Sequence, residues 1–237
     1  MAHAQDMEPA DAFALLGRIK LSETDLDGVF AKIADLAKRT IPGASEVSVT
    51  LVENQDAHTP ALTGELALAL DEAQYKLGHG PCLDAAVSTS TQHIADMITE
   101  RRWPDWTVRA HEAGACSSVS IGLPVQEAVT GALNIYATKP DAFDEDALAV
   151  AQTFASYAAV AMANAYLYNA QTTLAQHMEI AMRSRAVIEQ AKGIIMGGRR
   201  CSADEAFTIL TKLSQDTNRK LRDVAGALVE RATTPKP

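Results

Sequence analysis

Hydrophobic residues follow two different spacings along roughly the first 140 positions of the chain. Strict alternation with polar residues predicts strands at residues 46–52, 117–125 and 131–137, and the segment QEAVT joins the last two as a hairpin. Short helices are expected in PCLDAAV and WPDWTVRAHEAG. An earlier helix is predicted by apolar residues that recur at steps of three and four, and it ends at IPGASE. Its apolar positions are Leu26, Val29, Phe30, Ile33, Leu36 and Ala37. The pattern predicts an α+β domain with an antiparallel sheet.

A second pattern begins at Asp141, from which 52 residues run to Lys192 without Gly or Pro. This length predicts one long helix. Packing on its own domain accounts for the helix up to about Ala161, and beyond it a homodimer is favoured. Polar residues interrupt the uncharged stretch 147–178, so no membrane span is expected. Small and apolar residues form a seam of coiled-coil type at Val160, Ala163, Leu167, Ala170, Leu174, Met178 and Ala181.

The remaining residues predict two further helices, giving a small three-helix bundle with the end of the long helix. Gly197 and Gly198 are expected to stop the long helix, and Ser202 with Glu205 forms a capping box at the start of the next. The third helix is expected to start at about Asn218. The predicted buried positions of these two helices are Ala206, Phe207, Leu210, Leu213, Leu221, Val224, Ala225 and Leu228.

Gly193 is an unusual residue for the interior of the predicted helix AVIEQAKGIIM. The apolar residues of this helix share one face, and a rotation of 100° per residue places Gly193 nearly opposite its centre. An exposed glycine inside a helix costs ~1 kcal/mol relative to alanine. Either a partner approaches the backbone closely at this position, or the helix kinks there.

Charge divides the chain unevenly. Residues 1–170 hold 10 Lys/Arg and 23 Asp/Glu, whereas residues 171–237 hold 11 and 7, so only the C-terminal part is suited to a polyanion. Three cysteines without a CxxC or Cys/His spacing argue against a disulfide framework or a zinc site and favour a reducing cytosol. The N-terminus is acidic and lacks the apolar segment of a signal peptide, so a cytoplasmic protein is expected.

Several motifs resemble known families. SRAVIEQAKGIIM, CSADEAF and NRKLRDVA, in this order, are similar to the ANTAR domain, an RNA-binding module of bacterial antitermination regulators. GHGPCLDAA, RWPDW, the later predicted strands and AFDEDALAVAQTFASYAAVAMANA resemble a GAF domain, a sensory fold. The resemblance implies a GAF-type antiparallel sheet flanked by helices, joined by a long coiled-coil helix to an all-α three-helix bundle. The implied divisions are an N-terminal segment at 1–21, partly disordered or helical, a sensor domain at 22–165, a linker helix at 166–182, the ANTAR domain at 183–232 and a disordered tail at 233–237.

The ANTAR resemblance implies a transcriptional regulator that binds RNA stem-loops in nascent transcripts and is controlled by an unknown small-molecule ligand of its GAF domain. The alternative is a small-molecule or redox sensor whose C-terminal helices bind DNA or a protein partner. Paired stem-loops would suit a homodimer, and no cofactor is expected. The predicted RNA-binding residues are Arg185, Lys192, Gly193, Arg199, Arg200, Arg219, Lys220 and Arg222.

The GAF-like part offers few candidates for chemistry, so an enzyme is not expected. Cys82 and Cys116 are a candidate redox pair, but a free cysteine is usually a small buried hydrophobe. His79 lies in the turn LGHGP without a second ligand nearby, and a structural role is favoured over haem or metal binding. No cysteine is followed by histidine, so bilin attachment is not expected, and KPDAFDED departs from the cyclic-nucleotide motif of GAF domains.

Overall fold

The computed structural model describes residues 7–54, 56–126 and 129–233. The chain divides into two compact units between Asn169 and Ala170. Residues 1–6, part of the predicted N-terminal segment, and most of the predicted tail, 234–237, lie outside the described residues, as do the central residues of the QEAVT loop. Among the described residues, no helix has an apolar stretch long enough to cross a membrane.

The first unit is built on a five-stranded antiparallel sheet in the order β2-β1-β5-β4-β3. The three predicted strands are confirmed, and two further strands, β2 and β3, extend the sheet on either side of them. The strands are β1 (Glu46–Glu53), β2 (Asp56–Leu62), β3 (Thr91–Ile94), β4 (Ser117–Gln126) and β5 (Val129–Ala137). The helices are α1 (Pro9–Gly17), α2 (Leu26–Thr40), α3 (Glu65–Leu77), α4 (Pro81–Ser88), α5 (Pro104–Glu112) and the start of α6 (Glu145–Arg199).

One face of the sheet, here called the apolar face, carries Val and Leu side chains that pack on α1, α2 and the first part of α6. Asp25 caps α2 by accepting a 2.9 Å hydrogen bond from the Gly28 amide, and Phe30 and Ile33 of α2 are buried in this core. The predicted helix is therefore confirmed. Packing of α6 on its own unit continues to Tyr166, slightly beyond the Ala161 expected from the sequence. The strand residues of the apolar face include Val47, Val49, Leu51, Val119, Ile121, Leu133 and Ile135.

The opposite face, here called the polar face, comprises Ser48, Thr50, Ser118, Ser120, Asn134 and Tyr136, and none of these residues is exposed. Helices α3 and α4 pack on it, and α3 packs on α5. Gly122 of β4 lies so close to α4 that a Cβ atom there would overlap the carbonyl oxygen of Ala85. The sheet is thus covered on both faces, although its sequence has the alternation of a half-buried sheet.

The second unit contains the end of α6, α7 (Ala203–Thr217) and α8 (Leu221–Thr233). Residues from all three helices form its core, as the sequence predicted. The capping box is confirmed, because the Glu205 amide donates to Ser202 Oγ at 3.3 Å and the Ser202 amide donates to the Glu205 carboxylate at 2.8 Å. The core residues are Ala191, Ile195, Ala206, Leu210, Val224 and Ala225.

Three details of this bundle differ from the predictions. Helix α6 continues through Gly197 and Gly198 to Arg199, and Arg200 takes the positive φ of 52° that ends it. Asn218, with a φ of 48°, caps the end of α7 rather than starting α8. Phe207 and Leu213 are 45% and 46% exposed, whereas Leu210 and the half-buried Ile209 contact the core. The burial predictions for Phe207 and Leu213 failed because the apolar stripe of α7 is wider than the face that its neighbours cover.

Candidate functional site

Three predicted basic residues form a line along α6. Arg185, Lys192 and Arg199 are seven residues apart, a spacing that drifts only ~20° per step around a helix. Arg185 and Arg199 are exposed. Lys192 is half-buried, and its ammonium group lies 3.0 Å from the carboxylate of Glu189. These three cations therefore share one side of α6.

Gly193 lies beside this line and is exposed, as the sequence predicted. A Cβ atom placed on Gly193 would have no atom of the described residues within 4 Å, outside the local helix backbone. The backbone at Gly193 therefore has open space beside it, and the described part of the chain gives no packing reason for a glycine there.

A second group of basic side chains surrounds the turn between α7 and α8. The Arg219 amide donates to the Ser214 carbonyl at 3.1 Å, and Ser214 Oγ donates to the Arg219 carbonyl at 2.5 Å. Arg219, Lys220 and Arg222 are all exposed, and Arg222 lies 3.5 Å from Asp223. The turn backbone is thus fixed while its cations face solvent. Arg200, also exposed, occupies the separate turn between α6 and α7.

The polar face holds the most extensive buried hydrogen-bond network among the described residues of the first unit. Ser48, Asn134 and Ser120 lie directly opposite one another on β1, β5 and β4. The Asn134 amide group donates to Thr50 Oγ1 at 2.8 Å and to Ser48 Oγ at 3.2 Å. Thr50 Oγ1 also lies 2.9 Å from the Tyr75 hydroxyl of α3. The network therefore joins the centre of the sheet to the helix above it.

Asp71 of α3 is a fully buried carboxylate in this network. It accepts hydrogen bonds from the Tyr136 hydroxyl at 2.6 Å and from Thr59 Oγ1 at 2.8 Å, and no cation pairs with it among the described residues. Burial raises the pKa of Asp71 to about 6, although the hydrogen bonds from Tyr136, Ser48 and Thr59 act in the opposite direction. Asp71 is thus a buried carboxyl group whose hydrogen-bond partners are all neutral.

Three side-chain atoms of the polar face have no hydrogen-bond partner among the described residues, namely Ser118 Oγ, Ser120 Oγ and Asn134 Oδ1. Ser120 lies opposite Asn134 in the β4–β5 ladder, and Ser118 lies opposite Tyr136. The side-chain amide of Asn134 directs its nitrogen toward Ser48, Thr50 and the Asp71 carboxylate, so its oxygen is the atom left without a partner. Buried polar atoms without partners are rare in folded proteins.

Aromatic and charged side chains enclose one edge of the polar face. Trp103 Nε1 donates to the Asp84 carboxylate at 2.8 Å, which joins the start of α5 to α4. The Arg102 guanidinium lies 4.5 Å from the centre of the Trp103 ring and donates to Glu100 at 2.6 Å. Hydrogen bonds from Arg102 are the main reason that the pKa of Glu100 falls to about 2. The charge of Arg102 is therefore balanced by Glu100.

Comparison with protein families decides the identity of both units. A family model of the GAF domain matches residues 23–163, more than half of the chain, and a model of the ANTAR domain matches residues 176–229. The chain is a GAF–ANTAR protein. Its domain architecture is that of a regulatory protein that combines a sensor with an RNA-binding module. A comparison with curated protein sequences gives no match.

Solved structures similar to this GAF–ANTAR chain share its fold at low identity. The phycoerythrobilin-bound GAF domain of a cyanobacterial phytochrome has a TM-score of 0.53 at 14% identity, covering 68% of this chain and 97% of that domain. Free methionine-R-sulfoxide reductase from Neisseria meningitidis, solved with its substrate, has a TM-score of 0.52 at 17% identity, covering 67% and 88%. The reduced reductase of Staphylococcus aureus has a TM-score of 0.51 at 16% identity, covering 65% and 92%. These likenesses show the GAF fold.

Cys82, Cys116 and His79 are the residues of the GAF domain that the sequence offered for redox chemistry or metal binding. Cys82 is fully buried in α4 and Cys116 is half-buried, and both are free thiols. Burial is the largest of the effects that raise the pKa of the Cys82 thiol well above its ordinary value, which disfavours the reactive thiolate. His79 is exposed in the turn before α4. Among the described residues, no group of three or more His, Cys, Asp or Glu side chains is placed to hold a metal.

Sequence reasoning missed the polar face of the GAF domain. Asp71 and Gln74 lie in α3, a helix that the sequence analysis did not predict, and Thr59 lies in the unpredicted strand β2. A signal was nevertheless present, because the alternate positions of β4 and β5 carry Ser, Asn and Tyr but no charged residue. A solvent-facing side of a strand usually includes charged side chains.

Proposed function

We propose that this GAF–ANTAR protein is a bacterial transcription antitermination regulator that binds RNA stem-loops in nascent transcripts, under the control of a small ligand of its GAF domain. The observation that carries the RNA proposal is the line of Arg185, Lys192 and Arg199 beside the open backbone of Gly193, within the ANTAR domain. Folded RNA is bound through its phosphates and through unpaired loop bases, which suits cations next to a surface that permits close approach.

The two basic groups have different expected roles. Arg219, Lys220 and Arg222 project from a fixed turn into solvent, which suits contacts with phosphates. Lys192 is half-buried and held by Glu189, so its position is better defined than that of a freely moving lysine. We therefore assign Lys192 and Gly193 to the recognition of loop bases. Arg200 and the basic residues of the α7–α8 turn are assigned to contacts with the phosphate backbone of the RNA.

Titration of hairpin RNAs with matched and scrambled loops across a salt series tests this assignment. Arg219→Ala and Lys220→Ala should weaken binding of both RNAs and flatten the slope of log affinity against log salt by ~0.7 per lost phosphate contact. Lys192→Ala should cost ~1–3 kcal/mol for the matched loop and little for the scrambled one. Gly193→Leu should block close approach without removing a charge.

Arg183→Ala is the matched control, because nine residues separate Arg183 from Lys192 and place it ~180° away around α6. It should leave binding unchanged. Gly193→Ala is a second control, because it raises the helix propensity as Gly193→Leu does but adds only a methyl group. A loss of binding in Gly193→Leu alone would then be due to the size of the side chain. If folded Lys192→Ala and Gly193→Leu proteins bind both RNAs like the parent, the α6 surface is not the RNA site. Tighter binding of duplex DNA than of hairpin RNA would favour the DNA-binding alternative.

We further propose that the protein is a homodimer joined along α6. Val160, Leu167, Leu174 and Met178 of the predicted seam are 54% to 60% exposed, and a second copy of the same seam would cover them. Two ANTAR domains held together in this way would bind paired stem-loops.

Analytical ultracentrifugation of Ala170→Asp tests the dimer, because a charge at the centre of the seam would be buried without a partner. The variant should sediment as a monomer. Gln176→Asp adds the same charge on roughly the opposite face of α6 and should remain dimeric. An unchanged dimer in both variants would place the interface elsewhere.

A further inference from the structure

We propose that helix α6 has two alternative ends and that RNA binding selects one of them. In the longer form, which the structure shows, α6 ends at Arg199, and Arg200 takes the left-handed backbone conformation. In the shorter form, α6 ends at Gly197, and Gly198 takes that conformation instead. This inference rests on the proposed RNA function, because it concerns the regulation of the same ANTAR surface.

Arg200 occupies a backbone position that helices usually fill with glycine. Its amide donates to the carbonyl of Met196 at 2.8 Å, and its φ is 52°. Helix α3 ends with the same hydrogen bond but uses Gly78, whose φ is 74° and whose amide donates to the Gln74 carbonyl at 2.8 Å. The left-handed conformation crowds the Cβ atom that every residue except glycine carries. The longer form of α6 therefore ends at an unfavourable residue.

Gly198 lies two residues before Arg200 and is suited to the same role. Gly197 and Gly198 are helical and exposed, and a Cβ atom on either would have no atom of the described residues within 4 Å, outside the local helix backbone. Each glycine disfavours the helix roughly fivefold relative to alanine. If Gly198 took the left-handed conformation, its amide would donate to the Ile194 carbonyl, as the amide of Gly78 does to Gln74 in α3.

Side-chain packing holds the chain on both sides of this turn but not within it. Ile195 belongs to the core of the bundle, and Ser202 is fixed by the capping box of α7. Residues 196–200 between them are all exposed. Both anchors stay in place in the shorter form, since its connection to α7 is longer by only about two residues and keeps an ordinary length. The choice between the two ends therefore depends on the backbone preferences of Gly198 and Arg200.

The two forms present different arrangements of charge to RNA. In the longer form, Arg199 follows Lys192 by seven residues on one continuous helix, so the two cations share one side of α6. In the shorter form, Arg199 lies beyond the end of the helix and leaves this line. A ligand shifts an equilibrium only through its different affinities for the two forms. RNA that contacts both cations at once therefore favours the longer form, and the shorter form lowers the apparent affinity for RNA.

Amide hydrogen exchange of the full-length protein, resolved by NMR without RNA, tests for the second end. The amide of residue 200 is protected in the longer form, where it donates to Met196. Gly198→Ala should slow its exchange at least about fivefold, because alanine favours the helix and disfavours the left-handed conformation. Gly197→Ala is the matched control. Residue 197 is helical in both forms, so exchange at residue 200 should change by less than about twofold.

Two neutral substitutions of Arg200 test the selection by RNA with the charge held constant. Asparagine tolerates the left-handed conformation, whereas the β-branched valine does not. Arg200→Asn should therefore favour the longer form, and Arg200→Val should favour the shorter one. Titration with one hairpin RNA at a fixed salt concentration should give binding roughly five- to tenfold tighter for Arg200→Asn than for Arg200→Val. Circular dichroism checks that both variants fold.

The proposal is overturned if Gly197→Ala slows exchange at residue 200 as much as Gly198→Ala does, because α6 would then fray without a defined second end. It is also overturned if the parent binds the hairpin but the folded Arg200→Asn and Arg200→Val proteins bind it equally tightly. If the parent binds no hairpin, the proposed RNA function fails together with the selection by RNA. The exchange measurement contains no RNA and still decides whether α6 has two ends.

Discussion

The two faces of the GAF sheet are equally buried but are built from different chemistry. On the apolar face, Val, Leu and Ile side chains pack against α1, α2 and α6. Each of these side chains stabilises the domain because its apolar surface is removed from water. On the polar face, Ser, Thr, Asn and Tyr lie under α3 and α4, and three of their polar atoms have no partner within the described chain. An unsatisfied buried polar group costs about 1–3 kcal/mol, so these three atoms make the polar face less stabilising than the apolar face.

The difference shows that one sheet can be covered on its two faces by different kinds of interaction. The apolar face holds the domain together, and it does so without specific polar contacts. The polar face keeps hydrogen-bonding capacity in a dry environment, where a hydrogen bond is stronger than in water and an unpartnered polar group costs more. We therefore expect substitutions on the two faces to affect stability in different ways.

Leu133→Ala on the apolar face should have the largest effect on stability. Leu133 is fully buried, and its truncation should lower the free energy of unfolding by about 2–5 kcal/mol through lost transfer energy and the cavity left behind. Denaturant unfolding followed by tryptophan fluorescence measures this, because Trp103 and Trp106 both report on the GAF domain. Val87→Ala, at a residue that is 77% exposed, should change stability by less than about 0.5 kcal/mol. Equal losses in both variants would contradict the description of this core.

Asp71 on the polar face should make stability depend on pH. Its pKa is raised in the folded protein from 3.8 to about 6, so folding favours the protonated form. Protonated Asp71 therefore adds about 3 kcal/mol to the free energy of unfolding below about pH 4. This contribution is lost as the pH rises through about 6. Asp71→Asn should remove this dependence. The measurement is the free energy of unfolding of the parent and the variant at several pH values between 4 and 8. If the two proteins differ by the same amount at every pH, the raised pKa of Asp71 is contradicted.

The smallest effect is expected from Ser120→Ala, because the hydroxyl of Ser120 has no partner to lose. Its free energy of unfolding should stay within about 0.5 kcal/mol of the parent or increase. Thr59→Val keeps the side-chain shape but removes the hydrogen bonds of the Thr59 hydroxyl with Asp71 and with Tyr75, and it should lower stability by about 1.5–3 kcal/mol. A large loss in Ser120→Ala would mean that its hydroxyl is satisfied in the folded protein, for example by ordered water.

Local patterns identified much of the fold. The alternation in β1, β4 and β5, the helical spacing of α2 and the capping box at Ser202 were all readable from sequence, because each depends on residues close together in the chain. The ends of α6 and α7 were not, since Arg200 and Asn218 adopt positive φ values while Gly197 and Gly198 remain helical. A glycine inside a helix costs only ~1 kcal/mol, so its presence does not by itself fix where the helix ends.

The predicted RNA-binding residues rest on the same local reasoning. The line of Arg185, Lys192 and Arg199 follows from a seven-residue spacing, and the exposure of Gly193 follows from its position opposite an apolar face. The polar site around Asp71 was not predicted, because its members come from three strands and a helix that are far apart in the chain. A buried aspartate has no local signature that separates it from an exposed one.

The sequence by itself determined which elements form, which side of each strand is apolar, and which families the two domains resemble, because periodicity and motif order are properties of neighbouring residues. Only the tertiary structure decided that the second side of the sheet is also covered. That coverage depends on α3 and α4 packing across strands that are distant in sequence, with α5 packed on α3. It converts ordinary polar residues such as Ser120 and Asn134 into enclosed groups whose hydrogen-bonding capacity is incompletely satisfied.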